Sequence, residues 1–277
     1  MGVPNLNIFG AIELFSNLRF DGIEVRCAKD GQIDTETADD EFLLLVNKHL
    51  ERHCIKPVCL TSYYKDFISD NRNREIDNLK RVIQIADSLR CPLVRVYGGI
   101  DPPPDHFSRR EAWKHTVTGI QELAGYAEQH GVGICIETHN GSLTFSASDT
   151  VRMVQEIGRD NVGILLDFAW VYLLGKETFA ETVEMCIPYI QHCHYKDWKI
   201  SGQGAEAERS AVLMGKGDIP WREFFTALQG AGYDGSLSDE YERYWHRESL
   251  PEARVGMQHN LHYVKSVFSS VDQERVS

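Results

Sequence analysis

A chain of 277 residues with 41 acidic and 29 basic side chains carries a formal charge of −12, which argues against a broad nucleic-acid or anionic-membrane surface. Its 42% hydrophobic and 25% charged residues suit an ordinary soluble globular protein, and no apolar stretch approaches the roughly 20 residues of a membrane span. Seven cysteines, an odd number with no Cys-x-x-Cys pair, do not make a disulfide framework and fit the reducing cytoplasm, with Cys27, Cys59, Cys135 and Cys193 in or beside apolar runs as small buried side chains.

Asn7–Leu18 has helical apolar spacing in Ile8, Ile12, Phe15 and Leu18, and Phe20-Asp21-Gly22 leads into a strand, Ile23-Glu24-Val25. Only about six residues precede that helix, none of them strand-like. Thr37–His53 is predicted helical, with Phe42, Leu45, Val46 and Leu50 on one stripe; Ile55–Thr61 is the next strand. Asn73–Arg90 places Ile76, Leu79, Ile83, Ala86 and Leu89 on one helical face, and Leu93–Tyr97 is a strand ending at Gly98-Gly99. A Pro-rich loop at Asp101–Asp105 precedes a helix over about Ser108–His130.

Gly131–Asn140 then supplies two glycines and a short β-branched run that ends in Glu137, Thr138, His139 and Asn140. Strand alternation sets Cys135, Glu137 and His139 on one face and Ile134 and Ile136 on the other. Ser148–Ile157 is a helix, Val162–Phe168 a strand, Phe179–Cys186 a helix and Ile190–Tyr195 a strand. Lys199–Gly217 reads as a long polar loop with four glycines, a mobile cover for a site. Trp221–Ala231 is a helix, Gly235–Tyr241 a strand, Pro251–Phe268 a closing helix, and the last residues fray.

Seven strands alternate with helices, and no linker separates domains, so residues 1–277 read as one domain. Apolar strands under amphipathic helices imply a parallel sheet. The regular repeat favours a closed (β/α)8 TIM barrel whose first strand is missing or unrecognised; no glycine-rich dinucleotide fingerprint supports an open sheet. An unclosed barrel exposes edge strands and empties part of the core. A start codon assigned too late is the preferred explanation, with true truncation second.

Four strands end in acidic or imidazole side chains: Glu137, Asp167, His194 and Glu240, separated by 30, 27 and 46 residues, each near one strand-plus-helix unit. In a barrel such positions converge on the axis at the C-terminal face. Three carboxylates so placed need a cation. Three carboxylate oxygens and one imidazole nitrogen suit a divalent metal: Mn²⁺, Mg²⁺, Co²⁺ or Zn²⁺. Taken alone, a strand-end carboxylate such as Asp167 is more often a helix cap. His192, one layer below His194, reads as a hydrogen-bonded residue rather than a ligand.

The chain resembles the sugar phosphate isomerase/epimerase family, the xylose isomerase-like barrels, from about Phe20 to Val267. The motifs carrying this are Phe20-Asp21-Gly22-Ile23-Glu24, Arg95-Val96-Tyr97-Gly98-Gly99, Ile136–Asn140, Leu166-Asp167, His192–Asp197, Gly215–Trp221 and Gly232–Gly235 before Glu240. The resemblance implies a metal at Glu137, Asp167, His194 and Glu240. It also implies that Glu137 and Glu240 move protons on opposite faces of a sugar or keto-polyol, with an ene-diolate between. Arg95, His139, Trp170, Lys196 and Arg243 are candidate substrate contacts, although for Arg95 and Arg243 a rim salt bridge competes. Related barrels are commonly dimers or tetramers.

This chain departs from the family pattern at Trp170, where a His is usual, and at Asp239, where an apolar residue is usual. Gly215–Gly217 reads either as a phosphate cradle or as a simple turn. Rival readings are a dehydratase of the inosose or 3-dehydroshikimate type, a DNA-repair endonuclease, which would want more convergent His and a basic face, and a non-catalytic metal-binding barrel.

Overall fold

In the computed structural model, residues 2–202, 204 and 206–276 are described, with side chains described through residue 269. Seven apolar runs form one parallel sheet whose order follows the chain: β1 (Gly22–Arg26), β2 (Lys56–Thr61), β3 (Leu93–Tyr97), β4 (Gly133–Glu137), β5 (Val162–Asp167), β6 (Ile190–Tyr195) and β9 (Ser236–Asp239). Between them run α1 (Ile8–Asn17), α2 (Asp40–His53), α3 (Arg72–Ser88), α4 (Arg109–Gln129), α5 (Ala147–Ile157), α6 (Phe168–Leu174), α7 (Phe179–Cys186), α8 (Trp221–Gly230) and α9 (Ala253–Val276). Among the described residues no helix is long and apolar enough to cross a membrane.

Capping chemistry sets the boundaries. Asn7 accepts from the Gly10 amide, and Ser108 and Glu111 form a reciprocal capping box that opens α4. Asp39 accepts from the Phe42 amide, so α2 starts at Asp40 and not at the predicted Thr37. The predicted two-faced β4 is present. Ile134 and Ile136 pack outward in the main core, while Cys135 faces the barrel interior against Leu165, with its Sγ 3.9 Å from Cys59 Sγ. All seven cysteines are free thiols and six are buried.

Three further expectations change. Phe168 opens α6 and does not end the strand, and α9 continues to Val276 where fraying was expected. The stretch read as a polar loop holds an antiparallel hairpin, β7 (Asp197–Ser201) with β8 (Glu208–Val212).

Among the described residues no ladder joins β9 to β1, so the barrel is seven-stranded and nearly closed. A cavity of about 510 Å³ occupies the interval, lined by Ile8, Phe15, Ile23, Val25, Leu237 and Met257 among others, and it reaches Glu24, His194 and Glu240.

Candidate active site

The Glu-Thr-His-Asn run at the end of β4 is held by its own threonine. Thr138 Oγ donates to the Asp167 carbonyl and accepts from the Asp167 amide at 2.8 Å, stapling the ends of β4 and β5 together. Thr144 Oγ donates to the Glu137 carbonyl at 2.8 Å from the following loop. That loop passes so close to Gly98 that a Cβ there would sit 2.3 Å from the Thr144 side chain, which explains the glycine after β3.

These ties converge the four strand-end groups. Glu137, Asp167 and His194 are 1%, 0% and 2% exposed, and one ligand atom from each, together with one from Glu240, lies within 4.8 Å of the others. His194 Nδ1 is 3.4 Å from Glu137 Oε1 and 3.6 Å from Glu240 Oε2. Glu240 follows β9, placed by the hydrogen bond its backbone amide donates to the Tyr195 carbonyl at 3.1 Å.

Like charges at this spacing need compensation, and two cations provide part of it. Arg95 Nη1 lies 3.3 Å from Glu137 Oε2, and its guanidinium stacks 4.1 Å from the Tyr97 ring centre. Lys196 Nζ lies 2.7 Å from Asp167 Oδ2, contacts Glu240 Oε2, and is 3.6 Å from Glu242 Oε1. Burial works against ionisation of Glu137, yet Arg95 and the His194 contact hold its carboxyl below the usual value. Glu240 is held well below that value, against burial, by Lys196 and His194. Asp167 goes the other way: burial lifts it to about 8, only partly opposed by Lys196. Burial disfavours the charged Lys196, but Asp167, Glu240 and Glu242 keep its ammonium protonated well above the normal range.

Apart from the ion pairs of Asp167 Oδ2 with Lys196 and of Glu137 Oε2 with Arg95, the Asp167 oxygens, Glu137 Oε2 and His194 Nδ1 are buried with no further aligned hydrogen-bond partner among the described residues. Unpaired buried acceptors are costly. Three carboxylates and an imidazole whose ligand atoms gather within 4.8 Å are the donors a divalent cation uses, so the set fits such an ion.

Around this cluster stands an aromatic and cationic wall. His139 packs 5.0 Å from both Tyr97 and Trp170, and burial lowers its pKa, leaving it neutral at physiological pH. Trp170, standing where a His was expected, also meets Trp198 at 4.8 Å, with the Arg209 guanidinium 4.4 Å from its ring. Of the five expected contact residues, Arg95, His139, Trp170 and Lys196 therefore gather at the cluster. Arg95 is buried against Glu137 and not at the rim. Arg243 instead pairs with Glu252 at the exposed edge.

The Gly215–Gly217 turn does not offer a phosphate cradle. Its amides at Gly215 and Gly217 donate to Asp197 Oδ2 at 2.9 and 2.8 Å. A Cβ at Gly217 would lie 1.9 Å from Asp197 Oδ1. The unusual Asp239 is also accounted for. Burial raises its carboxyl to about 8, and it accepts from Asn260 Nδ2 of α9 at 3.1 Å, while Asn260 Oδ1 accepts from the Met214 amide.

Sequence reasoning missed Glu24, Tyr97, Trp198, Arg209 and Glu242 as members of this neighbourhood. The expected hydrogen-bonded role of His192 is present: its Nε2 is 2.8 Å from Glu24 Oε2.

A sequence profile of the family described as xylose isomerase-like TIM barrel matches residues 12–265. Over 163 residues the chain is 26% identical to a 3-dehydroshikimate dehydratase of Bacillus anthracis, covering 58% of this chain and 55% of that protein. Over 124 residues it is 27% identical to a D-psicose 3-epimerase of Agrobacterium fabrum, covering 44% of this chain and 39% of that one. The chain spans about half the length of these curated relatives or less. A crystal structure of the IOLI protein with a bound zinc atom aligns with a TM-score of 0.81 over 98% of this chain and 96% of that one at 22% identity, which shows the shared fold.

Proposed function

Because this chain belongs to the xylose isomerase-like TIM-barrel family, we propose that it is a divalent-metal-dependent isomerase or epimerase of a sugar or related keto-polyol. The observation that carries this reading is the Glu137–Asp167–His194–Glu240 set, one ligand atom from each lying within 4.8 Å of the others at the mostly buried ends of four strands. The zinc in the IOLI protein and the epimerase among the relatives support it.

A bound Mn²⁺, Mg²⁺, Co²⁺ or Zn²⁺ would supply Lewis-acid stabilisation of the charge that develops on the substrate oxygens when a carbon beside the carbonyl loses a proton. The chain's own groups do the rest. Glu137, which ends β4, and Glu240, which follows β9, are both held ionised and approach the substrate from different sides. One takes the proton and the other returns it. Return to the opposite face of the same carbon epimerises; return to the neighbouring carbon isomerises. The Lys196 ammonium donates to a substrate oxygen. Arg95 pins Glu137, while Tyr97, His139, Trp170 and Trp198 exclude water. The hairpin β7–β8 sets Arg209 against Trp170 and Trp198 beside the cluster.

A second reading, a dehydratase in which the same proton abstraction is followed by loss of hydroxide, is favoured by the 3-dehydroshikimate dehydratase match. Incubating the Mn²⁺-loaded protein with ketoses and keto-cyclitols in D₂O separates the two. Deuterium incorporation without loss of water supports the isomerase or epimerase. A growing enone absorbance assigns the dehydratase, and neither signal with a metal-loaded protein would refute both.

A further inference from the structure

Glu24 and His192 belong to the sequence pattern, are buried or nearly so, and have no task in the reaction above. They touch each other and they touch His194. Glu24 Oε2 is 2.8 Å from His192 Nε2, and both Glu24 oxygens are 3.0 Å from His194 Nε2. His192 Nε2 is also 2.9 Å from Ser238 Oγ on β9.

An ionised carboxylate only accepts hydrogen bonds, so the facing nitrogen of each imidazole carries a proton. Glu24 lies 2.8 Å from His192 Nε2 and 3.0 Å from His194 Nε2, the spacing of N–H···O hydrogen bonds. A proton fixed on His194 Nε2 makes Nδ1 the nitrogen that carries the lone pair whenever the ring is neutral, as a ligating imidazole is. That atom is the one facing Glu137 and Glu240, and it has no aligned hydrogen-bond partner.

We infer that Glu24 is a positioning residue: it fixes the tautomer and ring orientation of His194 so that Nδ1 is presented to a divalent cation, with His192, itself bonded to Ser238, holding Glu24 in place. This rests on the metal reading of the four-residue cluster. The competing use of the same atoms is a second cation bound directly by Glu24, His192 and His194, whose ligand atoms also lie within 4.8 Å of one another. That use would strip the proton from His194 Nε2 and remove the hydrogen bonds just described.

The test is Co²⁺ binding to the full chain, followed by competition with a chromophoric chelator and by visible absorption, for wild type, Glu24→Gln and His192→Gln. Far-UV circular dichroism checks the fold of each. The inference expects one Co²⁺ per wild-type chain. In Glu24→Gln it expects an affinity loss of about 10- to 100-fold with shifted and reshaped d–d bands, because the amide no longer dictates which ring nitrogen is protonated. His192→Gln keeps the Glu24–His194 contact but removes the bond that holds Glu24, so it should lose affinity by less than Glu24→Gln yet measurably; an unchanged affinity there overturns the supporting role of His192 even if Glu24→Gln folds poorly. Unchanged affinity and spectrum in Glu24→Gln overturns the positioning role while the metal site stands. Two Co²⁺ per wild-type chain, with one lost in Glu24→Gln, overturns it by making Glu24 a ligand. No Co²⁺ in wild type overturns the metal reading and the positioning role with it.

Discussion

Replacing Lys196 by Met should destabilise the metal-free protein far more than the metal-loaded one. Lys196 Nζ lies 2.7 Å from Asp167 Oδ2 and 3.6 Å from Glu242 Oε1, and it touches Glu240. With an effective dielectric of about 20, unit charges at those two distances attract by about 6 and about 5 kcal/mol. Burying the ammonium offsets much of that, and removing one partner of a buried pair costs about 3–5 kcal/mol net. Asp167 limits the loss, because burial lifts its carboxyl to about 8 even with Lys196 beside it, so at neutral pH it is largely protonated and contributes little of that attraction. The lower end, about 3 kcal/mol, is therefore expected, or roughly 6 °C in Tm at about 2 °C per kcal/mol for a chain of this size. A divalent ion supplies the missing positive charge, so adding Mn²⁺ should bring the two melting curves within about 2 °C. The assay is a calorimetric melt of chelator-treated protein with and without Mn²⁺. Equal Tm values in chelator would show that Lys196 does not neutralise the cluster. A deficit that persists once metal content reaches one per chain would show that the cation does not sit among these carboxylates.

Glu137→Gln and Glu240→Gln should each cut kcat by about 100-fold or more while retaining the native circular dichroism spectrum, since a positioned acid or base contributes about 10²–10⁴; near-normal turnover in either would remove it from the proton path. Asp197→Ala leaves the Gly215 and Gly217 amides without their acceptor and should lower stability by about 2–3 kcal/mol in a urea melt. Gly217→Ala, whose new methyl collides with Asp197, should lose a similar amount, and a neutral result in both would mean the turn is not held this way. Hydrogen exchange should be slowest in β4 and β5, which are laddered on both sides, and faster in β1 and β9, which are laddered on one. Equal protection would show a closed barrel in solution.

The centre of this site was legible because each functional side chain ends an apolar run, and a strand's period of two fixes which way it points. Glu137 after Ile134-Cys135-Ile136 is the clearest case. Glu24 was not legible for the complementary reason. Within Ile23-Glu24-Val25 an isolated carboxylate looks like the solvent face of a strand, and its imidazole partners lie 168 and 170 residues away. Helix α6 was hidden because Phe168-Ala169-Trp170-Val171-Tyr172-Leu173-Leu174 is apolar all round, so it carries no 3.6-residue contrast. The hairpin was hidden by its polarity. Its short strands are held by pairing with each other and by Trp198, which is fully buried beneath Trp170 and Arg209.

The unclosed wall and the metal cluster are one structural problem. Backbone pairing stops at β1 on one side of the interval and at β9 on the other. Across it, Glu24 from β1 binds two imidazoles of β6, and one of those imidazoles also binds Ser238 of β9. Side chains therefore tie the two edges through β6 where a backbone ladder is absent, and the same side chains orient His194. A cation drawn to His194 Nδ1 would strengthen its Nε2–H as a donor to Glu24, so occupancy of the cluster should tighten the edges. Metal addition to wild type is then expected to slow exchange of the β1 and β9 amides more than those of β3. In Glu24→Ala that selective slowing should vanish even where metal still binds. Slowing spread evenly over the sheet in wild type would separate the two problems and refute the coupling.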